Sequence, residues 1–515
     1  MSPAPDTRQR RWILAALMAT MMLAAMDITI VATAIPQIVS DLGGFTRFTW
    51  LFSSYLLAQT VTIPIYGKLS DLHGRKPVLI GGTLIFLIGS VASAISWSMI
   101  ALIVFRGLQG IGAGAIMATV NTIAGDLYSV RERARIQGWL SSVWAVSAIL
   151  GPTLGGAFAQ YLSWRWIFLI NLPIGAVAIT LIGLFLREQV PQHQHRIDFA
   201  GAAAVLLAVG TLIFGLLQAG QAWPWLSWPS LAVFAGAGIL ITLAVRIERQ
   251  AVEPIIPAWL WSRRVLANTN LAMVGMGLIM MAPITYLPIF AQSVLGLGAI
   301  AAGLLLAAMS IGWPVASSLS GHLYLRVGFR NTGLCGAVLV VGATIGFLTL
   351  PYPGPVWALV LDQVILGAGF GLLATPLLVG VQSAVAWEHR GVVTSTNMFS
   401  RYLGQSLGAA MFGAIFNATV GARLARAPLD QPLPIKINAL TDPLQGREIV
   451  GEAEQTLQHA LYAAIHHIYI GAAIVALVVL FLVVLTPRRF PTARAPQSAA
   501  ATAPQAATKS TRPTR

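Results

Sequence analysis

Long apolar stretches separated by short polar segments recur along nearly the whole chain. A helix needs about 20 apolar residues to cross the hydrocarbon core of a bilayer, and stretches of this length predict fourteen spans. The predicted spans cover residues 13–35, 49–67, 78–96, 100–124, 137–158, 166–186, 199–218, 229–246, 266–288, 299–321, 331–350, 356–379, 392–417 and 466–486. A membrane β-barrel would instead alternate apolar and polar residues over about ten positions per strand, a pattern that the sequence lacks. The expected fold class is therefore an all-α polytopic membrane protein.

Composition and charge agree with this prediction. The chain has 515 residues, of which 57% are hydrophobic and 10% charged, and its formal net charge is +15. Of the 32 Lys and Arg residues, 24 fall on the predicted segments that share a side with the termini, six fall on the opposite loops, and Arg106 and Arg401 lie within spans. Because Lys and Arg concentrate on the cytoplasmic side, both termini are expected inside the cell. The positive charge then reflects membrane topology, and a nucleic-acid partner is not expected.

The two ends of the chain are expected to lie outside the membrane. The first span contains Asp27 and lacks a small-residue cleavage site, so we expect it to be retained. Residues 1–12 are expected to form a cytoplasmic N-terminus, and residues 487–515, rich in Ala, Pro, Thr and Arg, a disordered cytoplasmic tail. Cys335 is the only cysteine, which excludes an intramolecular disulfide and a thiolate metal cluster.

The glycine patterns of the two halves of the chain match each other. At an offset of 257 residues, Gly110, Gly112 and Gly114 match Gly367, Gly369 and Gly371. At an offset of 254 residues, Gly67 and Gly74 match Gly321 and Gly328. Glycine-rich membrane helices also match by chance, because small residues serve helix packing everywhere. The agreement of the registers predicts a parallel internal duplication.

The duplication divides the chain into two six-helix bundles and an insertion. We predict the N-terminal bundle over residues 13–186, a linker with two extra helices over 187–265, and the C-terminal bundle over 266–486 with an outer loop at 418–465. Bundles that move against each other around a midplane site are typical of transporters. This organisation favours a transporter over a receptor or a membrane enzyme.

A short inner loop, GKLSDLHGRKP at residues 67–77, combines small residues, one acid and several bases. Such a loop can form a charge-assisted latch between helix ends that switches as the helices slide. Its pattern resembles the signature loop of the major facilitator superfamily. The resemblance implies a gating latch formed by residues of this loop and by one base of the next inner loop, Arg133. The residues of this loop are Gly67, Asp71, Gly74, Arg75 and Lys76. The alternative is simple anchoring by positive charge, and in the second copy Leu325 and Phe329 replace the acid and the first base.

Two opposite charges are predicted to meet inside the first bundle. Arg106 lies about 6 residues, roughly 9 Å, from the outer end of its span, and Asp27 lies about 8 residues, roughly 12 Å, from its own. A charge inside the membrane is expensive, so each needs a partner, and the matching depths predict an ion pair. A carboxylate whose partner moves away would take up a proton, which would couple the pair to proton movement. The alternative is a static pair that only fixes packing.

A second acid and a second base are predicted inside the C-terminal bundle. Asp362 is about 6 residues from the outer end of its span and Arg401 about 9 residues from the inner end, so their depths differ by roughly 15 Å. We therefore expect no direct pair between them. Asp362 is a candidate proton site unless it lies in an outer water-filled funnel. Arg401 either meets an anionic or carbonyl group of a substrate or satisfies helix carbonyls.

The span at 137–158 carries Gly151, Pro152, Gly155 and Gly156. Glycines four residues apart let a neighbouring backbone approach closely, and a proline inside a helix bends it. The group resembles the motif of antiport branches of the same superfamily, which implies export rather than import; the alternative is an ordinary packing groove with a kink. In the second copy Ala409 replaces the proline and Phe412 replaces Gly155, so we expect that copy to lack both the bend and the groove.

The string WRWIFLINLPIG at residues 164–175, together with fourteen spans, resembles the fourteen-helix drug:proton antiporter branch. The resemblance implies the major facilitator fold and a multidrug efflux transporter in the plasma (inner) membrane of a bacterium, with antibiotic resistance as its consequence. The implied partners are a small amphipathic substrate, protons, the lipid bilayer and, in a Gram-negative cell, a periplasmic adaptor. No cofactor is expected, because the proton gradient would drive transport and the sequence lacks a GxxxxGK[ST] phosphate loop. No metal is expected either, because HExxH is absent and the adjacent His466 and His467 point to different sides of a helix.

The substrate pocket is expected between the bundles, where apolar walls with few fixed polar groups tolerate many ligands. Its predicted lining is Met26, Gln109, Trp144, Tyr286, Arg401 and Gln405. Proton coupling is assigned to Asp27, Arg106 and Asp362, and two acids inside the spans favour neutral or singly charged compounds over dications. One alternative is transport of a specific metabolite, peptide or siderophore by the same fold. The other is a non-transporting membrane sensor or enzyme, for which the sequence offers no soluble domain or catalytic constellation.

Overall fold

The computed structural model describes residues 6–43, 47–48, 50–188, 199–220, 222–251, 253–351, 354–424, 452–488 and 490. Regular structure in these residues is helical, apart from an isolated β-bridge between Ala219 and Trp223. The all-α prediction is therefore confirmed for the part of the chain that the structure describes.

The first half contains α1 (Thr7–Leu42), α2 (Trp50–His73), α3 (Arg75–Ala94), α4 (Met99–Leu127), α5 (Val130–Tyr161), the short α6 (Trp166–Leu169) and α7 (Asn171–Phe185). Ser98 caps the start of α4, where its Oγ accepts a hydrogen bond from the Ala101 N–H at 3.2 Å. Gly74 separates α2 from α3 with a φ of 93°, a conformation that favours glycine, so the chain turns between these helices within one residue.

The second half contains α8 (Phe199–Gln218), α9 (Trp228–Gln250), α10 (Trp259–Ser262), α11 (Arg264–Met281), α12 (Leu287–Ser293), α13 (Ala299–Val327), α14 (Phe329–Thr349), α15 (Val356–Ser383), α16 (Arg390–Leu424) and α17 (Glu452–Leu485). A π-helical turn, Ala282–Tyr286, joins α11 to α12 inside the predicted span 266–288. Pro283 lies in this turn and has no N–H to donate, which explains why the regular α-helix is interrupted there.

Twelve helices within the described residues are long and apolar enough to cross a membrane. The predicted spans 49–67 and 392–417 correspond to α2 and α16, which are not among the twelve. Both helices carry many hydroxyl and amide side chains, and α16 also carries Arg390 and Arg401, which lowers their mean hydropathy. The chain is a multi-pass membrane protein, and the count of fourteen spans stays a prediction.

Helical structure extends into the predicted outer loop 418–465 from both sides. Helix α16 continues to Leu424, and α17 begins at Glu452 rather than at residue 466. The amphipathic ends of helices are missed by a hydropathy window because their polar residues dilute the apolar signal. The middle of that loop, residues 425–451, and the predicted disordered tail from residue 491 lie outside the described residues.

Equivalent helices of the two halves have equivalent neighbours. Helix α1 packs on α5, α2 on α4, and α3 on α4 and α7; in the second half α11 packs on α16, α13 on α15, and α14 on α15 and α17. These partners are the ones expected of a duplicated bundle. The halves meet through α2 against α16 and α5 against α13, while α8 packs on α9 and contacts both α2 and α16.

Candidate transport and gating site

Asp27, Arg106 and Gln109 form a closed triangle of hydrogen bonds inside the first bundle. Arg106 Nη1 donates to Asp27 Oδ2 in an ion pair and to Gln109 Oε1 at 2.8 Å, and Gln109 Nε2 donates to Asp27 Oδ1 at 2.8 Å. All three side chains are fully buried. Buried charges need a partner and further hydrogen bonds, and α1 and α4 supply both here. The ion pair matches the sequence prediction, whereas Gln109, predicted in the substrate pocket, belongs to this cluster.

A second set of contacts holds the triangle in place. Ser90 Oγ on α3 accepts hydrogen bonds from Asn171 Nδ2 on α7 at 2.9 Å and from the amide of the triangle at 3.1 Å. Arg106 Nε donates to the Leu51 carbonyl at 3.2 Å, and its guanidinium lies 4.3 Å from the centroid of the Tyr55 ring. Ser90 and Asn171 are not predictable from the sequence, because uncharged polar residues are common in membrane helices and carry no signal of their own.

Gly151 and Gly155 of α5 lie against α1, about one turn beyond Asp27. A Cβ atom on Gly151 would lie 2.8 Å from Thr29 Cβ, and one on Gly155 would lie 2.6 Å from the Ile30 carbonyl oxygen. Because a larger residue would push the helices apart, the two glycines form the predicted groove. The groove binds α5 to the helix that carries Asp27.

The other two residues of the motif take no part in this groove. Pro152 lies inside α5 with an exposed side chain. A Cβ atom on Gly156 would meet nothing within 4 Å, so this position has room for a larger residue. The packing role therefore belongs to the glycines that are four residues apart.

The second copy keeps a groove at a shifted position. A Cβ atom on Gly404 of α16 would lie 2.8 Å from the Val274 carbonyl carbon, and one on Gly408 would lie 2.6 Å from the Leu278 carbonyl oxygen. The expectation that this copy lacks a four-residue groove is wrong. The groove lies one turn earlier, because Gly404 stands where the first copy has Ser147. Helix α16 contains no proline, as expected.

Asp71 joins the two bundles by capping the first turn of α16. Its Oδ1 accepts the Gly391 N–H and its Oδ2 accepts the Val392 N–H, both at 2.8 Å. The backbones meet closely, since a Cβ atom on Gly67 would lie 2.8 Å from the Gly391 carbonyl oxygen. A carboxylate at this place satisfies free N–H groups and interacts favourably with the helix dipole. The predicted latch loop thus binds the second bundle through its acid.

The sequence explains why α16 needs a cap from outside. Helix α5, its equivalent in the first half, begins with a capping box of Ser129 and Glu132. At an offset of 257 residues these positions hold Ala386 and His389. Partial burial and the nearby Lys68 cation lower the pKa of the His389 imidazole, and this side chain is no substitute for the capping acid. Asp71 supplies the acid that α16 lacks.

Arg75 is buried at the latch, and its guanidinium contacts three carboxylates. Its guanidinium lies 2.9 Å from Asp71, 3.0 Å from Asp126 of α4 and 4.0 Å from Glu188. It also lies 3.6 Å from the centroid of the Trp387 ring and donates to the Trp387 carbonyl at 2.7 Å. Because Trp387 precedes α16, this one side chain contacts both bundles.

Glu188, just after α7, caps the start of α3. Its two carboxylate oxygens accept the N–H groups of Arg75 at 2.9 Å and Lys76 at 2.8 Å. Lys76 Nζ donates to the Gly183 carbonyl at 2.8 Å, so this predicted latch residue ties α3 to α7. Glu188 and Asp126 are not among the predicted latch residues, although acids at inner helix ends that face a basic loop are a usable signal in the sequence.

Arg133 and Arg390 occupy repeat-related positions and make repeat-related contacts across the bundles. Arg390 Nη1 pairs with Asp126 at 3.0 Å, and Arg133 Nη1 donates to Ser383 Oγ at 3.3 Å. Ser383 stands 257 residues after Asp126, so the second contact repeats the first with a neutral partner. Arg133, predicted near the latch acid, therefore contacts α15 instead.

No ion pair joins Asp362 to Arg401 in the part of the chain that the structure describes, and the two side chains have different neighbours. Asp362 is only 7% exposed, accepts a hydrogen bond from Gln363 Nε2 at 3.1 Å and faces α14 near Gly346. Such burial argues against an open funnel around it. The Arg401 guanidinium lies 5.3 Å from the centroid of the Tyr402 ring.

The remaining residues of the predicted pocket divide between the bundles. Met26 is buried and Trp144 half-buried in the first bundle. Tyr286 lies on the π-helical turn with its ring centroid 5.3 Å from that of Phe416, and Gln405 Nε2 lies 3.7 Å from a methionine sulfur of α11. A pocket that uses all of these side chains has to lie between the two bundles.

Two equivalent helical bundles that are joined at one end by a charged latch and enclose a buried ion pair are an organisation typical of membrane transporters. The model of the Major Facilitator Superfamily matches residues 17–409. The chain belongs to this superfamily and is a secondary transporter, not an enzyme.

Several relatives carry transporter names. The chain is 34% identical over 448 residues to the multidrug transporter protein MdtP of Bacillus subtilis, covering 87% of this chain and 83% of that protein. It is 35% identical over 409 residues to multidrug resistance protein 3 of the same bacterium, covering 79% of each. It is 33% identical over 406 residues to the efflux pump dotC of Dothistroma septosporum, covering 77% of this chain and 69% of that pump.

Solved structures share the fold. The human organic anion transporter MFSD10 superposes with a TM-score of 0.63 at 15% identity, covering 92% of this chain and 99% of that one. A bacterial homologue of the human lysosomal transporter Spinster gives a TM-score of 0.55 at 15% identity, covering 93% of this chain and 97% of that one. At this identity the likeness concerns the fold alone.

Proposed function

We propose that the chain exports amphipathic drugs or other toxic small molecules in exchange for protons, by alternating access. The observation that carries the proposal is the buried Asp27–Arg106 pair in a chain whose relatives are named multidrug transporters and efflux pumps. A carboxylate inside the membrane that exchanges its cationic partner for a proton couples proton entry to a change of conformation. The glycine groove beside Asp27 supports this coupling, because it ties α5 to the same helix.

We further propose fourteen spans with both termini in the cytoplasm of a bacterium. The twelve apolar helices together with α2 and α16 make this number. Helices α2 and α16 face each other between the bundles, where polar side chains are shielded from lipid by protein. In this proposed topology the latch lies on the cytoplasmic side.

The test compares drug sensitivity and proton movement in an efflux-deficient bacterial host. Cells with the wild-type chain should survive higher concentrations of some compounds in an amphipathic panel, and inverted vesicles should lose part of their acidification when such a compound is added. Asp27→Asn should abolish both effects. Asp41→Asn is the matched control, because Asp41 is an exposed acid on the same helix that pairs with Arg165 at 3.6 Å.

Two results would contradict the proposal. Full drug resistance in the Asp27→Asn variant would remove the coupling role of the pair. Absence of resistance and of any drug-induced proton movement with the wild-type chain would remove multidrug export itself.

A further inference from the structure

Gln59 of α2 and Tyr402 of α16 are buried polar residues on two helices that pack against each other. The latch fixes the register of this helix pair, because a Cβ atom on Gly67 would contact Gly391 and Ser395. Helix α2 ends and α16 begins at the latch, so the two run in opposite directions. Counting at 1.5 Å per residue, Gln59 lies about 12 Å from Gly67 and Tyr402 about 10 Å from Ser395. Both residues are therefore at the same depth.

Their directions also agree. At 100° per residue, Tyr402 lies within about 20° of Gly391 and Ser395, on the face of α16 that meets α2. On α2, Gln59 lies about 40° from Tyr55, which reaches α1, and about 20° from Ser70, which contacts α16. Gln59 thus points into the space where both bundles meet.

These side chains are buried without hydrogen-bond partners among the described residues. Gln59 is fully buried, and neither its Oε1 nor its Nε2 has a partner. Tyr402 is 4% exposed with a partnerless hydroxyl, and Arg401 has a buried Nε that also lacks a partner. An unpaired buried polar group destabilises a protein. Two such residues at one depth, beside a buried arginine Nε without a partner, indicate a place that is built to hydrogen-bond a molecule from outside the chain.

The chemistry of the three groups defines what they can bind. The Gln59 amide, the Tyr402 hydroxyl and the Arg401 Nε all donate hydrogen bonds, whereas only the Gln59 carbonyl and the Tyr402 oxygen accept them. The two buried acids assigned to the spans are already engaged, since Asp27 pairs with Arg106 and Asp362 accepts from its neighbour on α15. The cluster therefore carries positive charge and excess donors.

We propose that Gln59, Arg401 and Tyr402 form a subsite that binds a hydrogen-bond acceptor oxygen of the exported compound. This oxygen belongs to a carbonyl, phenolate or carboxylate group. This inference rests on the proposed export function and names the part of the substrate that the chain recognises. Because Gln59 belongs to the first bundle and the other two to the second, relative movement of the bundles changes the contacts to the bound group. Compounds that are cations without an acceptor oxygen gain nothing from the subsite.

The test measures binding of two probes to the full-length protein in lipid nanodiscs. Fluorescein carries phenolate and carboxylate groups, whereas tetraphenylphosphonium is a permanent cation without oxygen. Tyr402→Phe and Gln59→Leu should each weaken fluorescein binding about five- to tenfold, the size expected for one hydrogen bond, and leave tetraphenylphosphonium binding unchanged. Tyr469→Phe is the matched control, since Tyr469 is also a fully buried tyrosine but lies on α17, away from the packing of α2 on α16.

Several results would overturn the subsite. The first is that the wild-type protein does not bind fluorescein. The second is that the Tyr402 and Gln59 variants bind it as tightly as the wild type. The third is that affinity falls equally for both probes, or equally in the Tyr469→Phe control. Should Gln59→Leu fail to fold, Tyr402→Phe decides the matter, because it removes a single oxygen atom.

Transport assays on the same samples separate this inference from the proposed function. One outcome is that the protein exports tetraphenylphosphonium in exchange for protons while Tyr402→Phe leaves fluorescein binding unchanged. This outcome would refute the subsite and support the proposed export function. Tyr402-dependent fluorescein binding without transport of either probe under a proton gradient would keep the subsite and refute the exporter.

Discussion

At the scale of single residues, the buried charges are what the sequence predicts best. A charge inside an apolar span must find a partner, and helical rise converts sequence position into depth, so the pairing of Asp27 with Arg106 follows from their positions in the sequence. Gln109, Ser90 and Asn171 could not be assigned, because uncharged polar side chains satisfy themselves in many ways. The same holds for Gln59, whose role depends on which helix α2 faces.

The ion pair makes a prediction about stability. Arg106→Ala leaves the Asp27 carboxylate buried without its cation, which destabilises a protein by about 3–5 kcal/mol. Adding Asp27→Asn should restore much of the loss, because the unpaired charge is then removed. Thermal melting of the purified variants measures both effects. Losses that simply add in the double variant would show that the two side chains do not interact.

At the scale of helices, close packing decides which glycines matter. The first groove was predictable because Gly151 and Gly155 are four residues apart, but their partner helix was not. The second groove was mispredicted because it moved by one turn to Gly404 and Gly408. Sequence comparison at a fixed offset cannot follow such a shift, since any small residue can occupy the contact point.

The glycine groove of α5, which packs against α1, gives a prediction with a matched control. Gly155→Val should separate α1 from α5 and lower stability by about 1–3 kcal/mol or more, because the added carbons overlap the α1 backbone. Gly156→Val, one position further, should be tolerated because its side chain enters open space. Melting temperature and the yield of monodisperse protein compare the two. Equal damage from both variants would refute the close contact.

At the scale of the whole molecule, the duplication predicted the two bundles but not their asymmetry. The interface of α5 with α13 repeats that of α2 with α16, yet Asp71 is replaced by Leu325 in the second copy. There, Tyr324 donates its hydroxyl hydrogen to the Val130 carbonyl, and α5 caps itself. Among the described residues, charge therefore contributes to the contact of α2 with α16 and not to that of α5 with α13. We expect the charged contact to decide whether the two bundles stay together at the latch.

Removing the charge of Asp71 tests this expectation. Two hydrogen bonds to a carboxylate contribute about 3 kcal/mol or more together, enough to shift a two-state equilibrium over a hundredfold. Asp71→Asn should therefore open the latch end, whereas Leu325→Asn at the repeat-related position should not. Spin labels on His73→Cys and Glu388→Cys, two exposed positions on either side of the latch, report the distance once Cys335 is replaced by Ser. A longer or broader distance distribution in Asp71→Asn alone is the expected result, and an unchanged one would mean that the capped helix end does not hold the bundles together.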